Sequence, residues 1–73
     1  MKSLLERIEI DSKVMLGKPV IKGTRITVEL ILRKISGGYS FGEILLMYPH
    51  LQHEDILAAV ELAATVMANE EIA

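Results

Sequence analysis

The absence of cysteine from a chain of only 73 residues limits how this protein can be stabilised. A domain of this size buries about 60% of the surface that its unfolded chain exposes, so its own core is marginal. Small domains usually add a disulfide, a metal site or a partner subunit. Without cysteine, disulfides, iron–sulfur clusters and cysteine-based zinc sites are excluded. We therefore expect a single domain, residues 1–73, that forms a homodimer or a higher oligomer.

Charge is distributed unequally along the chain, although the net charge is only −2. Residues 1–34 contain all eight basic residues and four acids, whereas residues 35–73 contain six acids and no lysine or arginine. This division favours a basic surface for an anionic partner and a separate acidic or apolar surface. The alternative is that both are ordinary solvated faces. The first ten residues are too charged for a signal peptide, and no run approaches the roughly 18 apolar residues of a membrane span, so we expect a cytoplasmic protein.

The N-terminal third shows strand and turn patterns rather than helical ones. Polar and apolar residues alternate over 7–11, which predicts a short strand. Residues 14–16 either continue this strand or turn. Lys22-Gly23 predicts a tight turn between two short extended pieces, one on each side. We expect a β element over residues 7–26.

Three helices are predicted in the remainder of the chain. Helix A, residues 27–37, begins with a threonine N-cap and carries an amphipathic stripe. Helix B, residues 40–48, begins with a capping box formed by Ser40 and Glu43. Helix C covers residues 52–69. The pattern predicts a mainly α, three-helix helix-turn-helix bundle with a short N-terminal β element, and a plain three-helix bundle is the alternative.

Helix C is apolar over more than one face. One apolar stripe is formed by Ile56, Ala59, Val60, Ala63, Val66 and Met67. Other apolar residues lie off this stripe, as in helices that are buried on more than one side. In so small a chain the second side must face another molecule. The residues predicted for this oligomer or partner interface are Leu57, Val60, Leu62, Ala64 and Met67.

Residues 18–25 form a basic segment that is constrained by proline and glycine. Because arginine suits bidentate recognition of phosphate or carboxylate, we interpret the segment as an anion-binding finger. The alternative is a solubilising hairpin that covers the core of helices A and B. The candidate residues for an anionic or nucleic-acid partner are Lys18, Lys22, Thr24, Arg25, Arg33 and Lys34.

The sequence lacks the signatures of catalysis and of metal binding. Glycine, lysine and threonine at 17–24 do not have the order or spacing of a P-loop. His50 and His53 straddle a helix start with no distant ligand to complete a shell, so surface or capping roles are expected. No serine has an evident histidine or aspartate partner for nucleophilic catalysis. We therefore expect neither an enzyme nor a bound cofactor or metal.

Several segments form a specific combination of motifs. They are Gly17-Lys18-Pro19-Val20-Ile21-Lys22-Gly23-Thr24-Arg25-Ile26-Thr27-Val28, Gly38-Tyr39-Ser40, Glu43-Ile44-Leu45, Tyr48-Pro49-His50-Leu51 and Glu54-Asp55-Ile56. Over about residues 8–64 the chain resembles the domain-of-unknown-function family four-three-three, a family of small prokaryotic antitoxin-like proteins. The motif positions carried over are Gly17, Pro19, Gly23, Thr24, Arg25, Pro49 and Asp55. Gln52 departs from the family, which commonly has a capping threonine there, and this weakens the expected cap.

The resemblance implies a homeodomain-like helix-turn-helix fold with an N-terminal β element. It also implies the antitoxin half of a toxin–antitoxin pair. Such an antitoxin binds and inhibits a PIN-like ribonuclease toxin, and in some pairs binds its own operator DNA as a dimer. The candidate basic residues then become candidates for toxin binding as well.

Helix C does not fit a simple homeodomain-like DNA reader, whose third helix enters the major groove. It has no lysine or arginine and would be repelled by phosphates. If DNA is bound, we expect the basic segment and helix A to contact it. Three hypotheses follow. In the first, the protein is an antitoxin whose basic finger pairs with the toxin's metal-binding carboxylates while helix C supplies buried area. The other two are a stand-alone DNA-binding transcriptional regulator and a dimerising scaffold protein.

Overall fold

The computed structural model describes residues 3–69 and is mainly α, with three helices and a short two-stranded sheet near the N-terminus. The elements are β1 (Ile8–Glu9), β2 (Val20–Ile21), α1 (Val28–Ser36), α2 (Phe41–Met47) and α3 (His53–Ala68), with 3₁₀ turns at Leu4–Arg7 and Met15–Gly17. The predicted mainly α fold class is confirmed, and each helix lies within the range predicted for it.

The β element is smaller than the sequence predicts. β1 and β2 pair antiparallel, with Ile8 opposite Ile21. The tight turn after β2 is present, and Gly23 adopts a φ of 76°, which favours glycine. Both strands lie within the predicted range 7–26, but the piece after this turn forms no strand and contributes only isolated backbone hydrogen bonds. One of them runs from the Ile21 amide to the Ile26 carbonyl at 3.0 Å, after which the chain enters α1.

The segment that follows β1 turns rather than continuing the strand. Its 3₁₀ turn is closed by a hydrogen bond from the Gly17 amide to the Val14 carbonyl at 3.0 Å. Met15 and Leu16 are left-handed, with φ of 49° and 58°. This conformation costs an L-residue about 1–2 kcal/mol. The Leu16 side chain is 94% exposed, so the turn presents an apolar group to solvent.

Side-chain hydrogen bonds fix the beginnings of α1 and α2. The Thr27 hydroxyl accepts a hydrogen bond from the Leu30 amide at 3.0 Å. At α2 the Ser40 hydroxyl accepts from the Glu43 amide at 3.1 Å, and the Glu43 carboxylate accepts from the Ser40 amide at 2.9 Å. The hydrogen bond from the Ser40 amide holds the pKa of Glu43 below its usual value.

One isoleucine from each helix lies at the centre of the core. Ile31, Ile44 and Ile56 are fully buried, and residues from β2, α1 and α3 pack around them. The buried residues of α3 all lie within 55–59, near its beginning. The second half of α3 therefore extends beyond the core.

An ion pair joins the N-terminal 3₁₀ turn to the beginning of α3. The Arg7 guanidinium donates to Asp55 Oδ1 at 2.9 Å, and Asp55 Oδ2 accepts from the Gln52 amide at 2.8 Å. Asp55 is only 5% exposed. Gln52 makes no side-chain hydrogen bond to the helix, but its side-chain oxygen accepts from Arg7 at 3.3 Å. The cap of α3 thus depends on Asp55, and we call Arg7, Gln52 and Asp55 the N-terminal clamp.

Removing the Arg7 charge tests the clamp. Arg7→Met leaves the buried Asp55 carboxylate without its ion pair, so we expect the free energy of unfolding to fall by about 2 kcal/mol in urea denaturation. The matched control is Lys18→Met, which breaks a 3.3 Å pair with Glu29 between two exposed side chains. The control should cost about 0.5 kcal/mol or less. Equal effects of the two substitutions would contradict the clamp.

The Glu43 cap predicts a pH dependence at the beginning of α2. Because its pKa is lower in the folded chain than in the unfolded chain, the cap stabilises the fold above the usual carboxyl value of 4.5, and this contribution is lost as the pH falls through the folded pKa. We expect Glu43→Gln to be less stable than the parent at neutral pH, with a difference that shrinks on acidification. Denaturation at a series of pH values measures this, and a difference independent of pH would contradict it.

Candidate functional site

The outward face of α3 is an uncovered apolar stripe. Leu57, Val60, Ala64 and Met67 follow one another at spacings of three, four and three residues, which places them on one side of the helix. Leu57, Val60 and Met67 are 37%, 41% and 52% exposed, and Ala64 is exposed as well. The spacing is that of a coiled-coil seam, on the side opposite the core. We call these four residues the outer stripe.

The structure corrects which apolar residues of α3 face inward. Val60, Val66 and Met67 belong to the predicted apolar stripe, but all three are exposed, so only the first part of that stripe faces the core. Leu62, predicted for the interface, is instead half-buried and packs against the core. The reason is the short overlap between α3 and the rest of the fold, since beyond residue 59 no side chain of α3 is buried.

An open apolar groove runs between α1 and the second half of α3. It has a volume of about 540 Å³. Its lining comprises Pro19, Val28, Glu29, Leu32, Arg33, Ser36, Leu62, Ala63, Val66 and Met67. Val66 is 49% exposed here. It lies nine residues after Leu57, about two and a half turns, so the two side chains project from opposite sides of α3. We call this feature the α1–α3 groove.

The structure divides the predicted basic residues between two surfaces. Lys22 and Thr24 line a polar cleft beside the N-terminal clamp. Arg33 lies at the α1–α3 groove, and both Arg33 and Lys18 contact Glu29, at 3.7 and 3.3 Å. The six candidates therefore do not form one basic face.

Two of the basic candidates retain charges that are not neutralised locally. Within residues 3–69, Lys22 and Arg25 are exposed and form no salt bridge. Lys34, by contrast, lies 5.2 Å from the centre of the Tyr39 ring, a cation–π geometry. The turn after β2 thus holds the charges that are most available to an anionic partner.

Thr24 has a structural role in this turn. Its hydroxyl donates to the Ile21 carbonyl at 2.7 Å and accepts from the Ile26 amide at 3.0 Å. Together with the positive φ of Gly23, these hydrogen bonds close the turn. The Gly23-Thr24 part of the motif therefore maintains the backbone that carries Lys22 and Arg25.

Arg7 and Leu16 are two residues that sequence reasoning did not single out. Arg7 lies 48 residues from Asp55 along the chain, and no local pattern connects them. The exposure of Leu16 depends on the two left-handed residues of its turn, which have no glycine signature in the sequence.

The two histidines take separate positions. The His53 ring lies 5.5 Å from the Phe41 ring, and His50 lines the polar cleft. Within residues 3–69, no three histidine, aspartate or glutamate side chains come together as metal ligands. In the same part of the chain, no helix is long and apolar enough to cross a membrane.

Comparisons with known proteins identify relatives but no activity. The family described as a protein of unknown function, DUF433, matches residues 8–63. An uncharacterized protein of Archaeoglobus fulgidus is 66% identical over 29 residues, which cover 40% of this chain and 81% of the relative. No solved structure matches the chain. The matched range includes the clamp's Asp55 and the turn after β2, but ends before Ala64 and Met67 of the outer stripe.

Replacing Thr24 tests whether the motif turn is structural. Thr24→Val keeps the shape of the side chain but leaves the half-buried Ile26 amide without its acceptor, so we expect a loss of about 1–2 kcal/mol in unfolding free energy. Arg25→Ala is the matched control, because its side chain is exposed and forms no salt bridge in the described part of the chain, and it should change stability by less than about 0.5 kcal/mol. A neutral Thr24→Val would contradict the structural role.

Proposed function

We propose that this chain, which belongs to DUF433, is an antitoxin-type protein that binds and inhibits a PIN-like ribonuclease toxin. The description of the family names no activity, so we infer this function from the surfaces of the protein. The observation that carries the proposal is the outer stripe of α3. A solvated helix normally has a polar outward face, whereas here Leu57, Val60 and Met67 are exposed on that face. Such a stripe supports a protein partner, because residues at spacings of three and four anchor a helix in an apolar groove.

The charges of the turn after β2 support a partner with exposed carboxylates. Lys22 and Arg25 are free of salt bridges in residues 3–69. PIN-like nucleases hold their metal with clustered carboxylates, and a guanidinium pairs with a carboxylate through two parallel hydrogen bonds. In the proposed complex, Arg25 and Lys22 neutralise these carboxylates and exclude metal or RNA, while the outer stripe supplies buried apolar area.

The same observations favour a protein partner over DNA. α3 is the third helix, which is the helix that reads the major groove in a homeodomain-like protein, but it carries Glu54, Asp55 and Glu61 and no lysine or arginine. Arg33 and Lys18, two of the residues predicted to contact phosphates, are paired with Glu29. Because phosphate contacts supply most of non-specific DNA affinity, operator binding is treated as an outcome of the test below.

Co-expression with the product of the neighbouring gene, followed by a ribonuclease assay of whatever co-purifies, tests the proposal. We expect a complex that co-purifies and has no ribonuclease activity. Leu57→Glu should weaken binding at least about 30-fold, because it places a charge in the centre of a buried interface. Arg25→Glu should weaken it about tenfold or more and restore ribonuclease activity. Leu46→Glu is the matched control: this residue is also exposed, but it lies on α2 away from both surfaces, and binding should be unchanged.

Two outcomes would overturn the proposal. One is a nuclease that stays active and does not co-purify. The other is equal binding by the Leu57, Arg25 and Leu46 variants, which would remove the outer stripe and the basic turn from the interface. Binding to upstream DNA that weakens steeply with salt, in the absence of toxin binding, would assign the protein to the regulator class instead.

A further inference from the structure

The second half of α3 is unusual in being apolar on both of its sides. Residues 62–68 contain no charged side chain. On one side, Val66 projects into the α1–α3 groove, and on the other, Ala64 belongs to the outer stripe. A helix without a polar face is stable in water only when other groups cover it. Within residues 3–69 nothing covers the groove side, although its lining is apolar except for Ser36 and one pair of opposite charges.

We propose that the α1–α3 groove is filled by residues 62–68 of a second copy of this chain, related by a two-fold axis. In such an arrangement the two α3 helices cross, and each lies against α1 of the other copy. The α3 residues that line one groove are then the same residues that enter the other groove. A two-fold interface requires this self-complementarity, in which one patch meets its own copy. The inference does not depend on the proposed antitoxin function.

The charge pattern favours a second copy as the occupant. Two α3 helices that crossed near their beginnings would bring Glu54 and Glu61 close to the partner's acids. Crossing within residues 62–68 brings together only uncharged side chains of the two α3 helices, so no like charges of the two segments meet. The charged residues of the groove, Glu29 and Arg33, have opposite signs and lie 3.7 Å apart, so they add no net charge to either side.

The side-chain sizes also fit a close helix crossing. Ala63, which lines the groove, allows two helix backbones to approach, while Val66 and Met67 supply bulk to fill the groove. The groove has a volume of about 540 Å³, which is enough for several such side chains. It is open to solvent, so a helix can enter it from outside. Burial of this groove would stabilise a chain whose own core is small, because short domains without disulfides are usually stabilised by association.

Light scattering on the purified chain across a concentration series tests the proposal. We expect the wild type to have twice the 8.1 kDa mass of the chain, and Val66→Glu to have the single mass. Leu57→Glu is the matched control, because it puts the same charge on the opposite side of the same helix and should remain dimeric. Circular dichroism separates loss of association from loss of fold, and the monomeric variant should keep its helices. A wild type that stays monomeric up to millimolar concentration would overturn the proposal, as would a dimer lost through Leu57→Glu rather than Val66→Glu.

Single cysteines provide a second test, because the natural chain contains none. Under mild oxidation we expect Val66→Cys to form a covalent dimer at least tenfold faster than Leu57→Cys, since only the first position lies at the proposed crossing. Equal rates would overturn the assignment to the groove even if the protein is a dimer. A failure here leaves the toxin-binding test unaffected, because that test depends on Leu57 and Arg25, which lie outside the groove.

Discussion

The burial of the Asp55 carboxylate is the interaction on which the arrangement of the fold most depends. The loss of the Arg7 partner leaves this carboxylate unpaired at a cost of about 2 kcal/mol, so the ion pair holds the N-terminal segment against α3. β1 follows Arg7 directly and pairs with β2, which contributes the buried Val20 and Ile21 to the core. The same carboxylate accepts the hydrogen bond that begins α3. One side chain therefore links the N-terminal segment, the sheet and the longest helix.

The N-terminal clamp explains part of the unequal distribution of charge along the chain. A basic first half and an acidic second half suggest two opposed surfaces, but Arg7 and Asp55 show that part of this division holds the halves together. Other basic residues are paired within their own half, as Lys18 and Arg33 are with Glu29. Lys22 and Arg25, on the turn after β2, form no salt bridge within residues 3–69 and are available to a partner, as is the uncharged second half of α3.

Local signals predicted the helices well, whereas contacts between distant residues were not predictable. The N-caps of α1 and α2 are each encoded within four consecutive residues, and the structure places both helices within their predicted ranges. The pairing of Arg7 with Asp55 spans most of the chain and has no local pattern. The inward and outward faces of α3 were assigned by periodicity, which does not reveal how far along a helix its neighbours extend. For that reason the predicted interface residues Leu57, Val60, Ala64 and Met67 do share one exposed side of α3, whereas Leu62 packs against the core and the α1–α3 groove is not predicted.

The position of the core at one end of α3 has a consequence for local stability. Amide groups near Ile56 and Ala59 are protected by the same contacts that hold the whole domain, so their hydrogen exchange requires global unfolding. In a single copy of the chain, amide groups beyond Leu62 are held by the helix alone, and we expect them to exchange through local fraying. Hydrogen exchange along α3 therefore reports whether another molecule covers its C-terminal half. Such a molecule slows exchange of the amides beyond Leu62, while the exchange rates near Ile56 change much less.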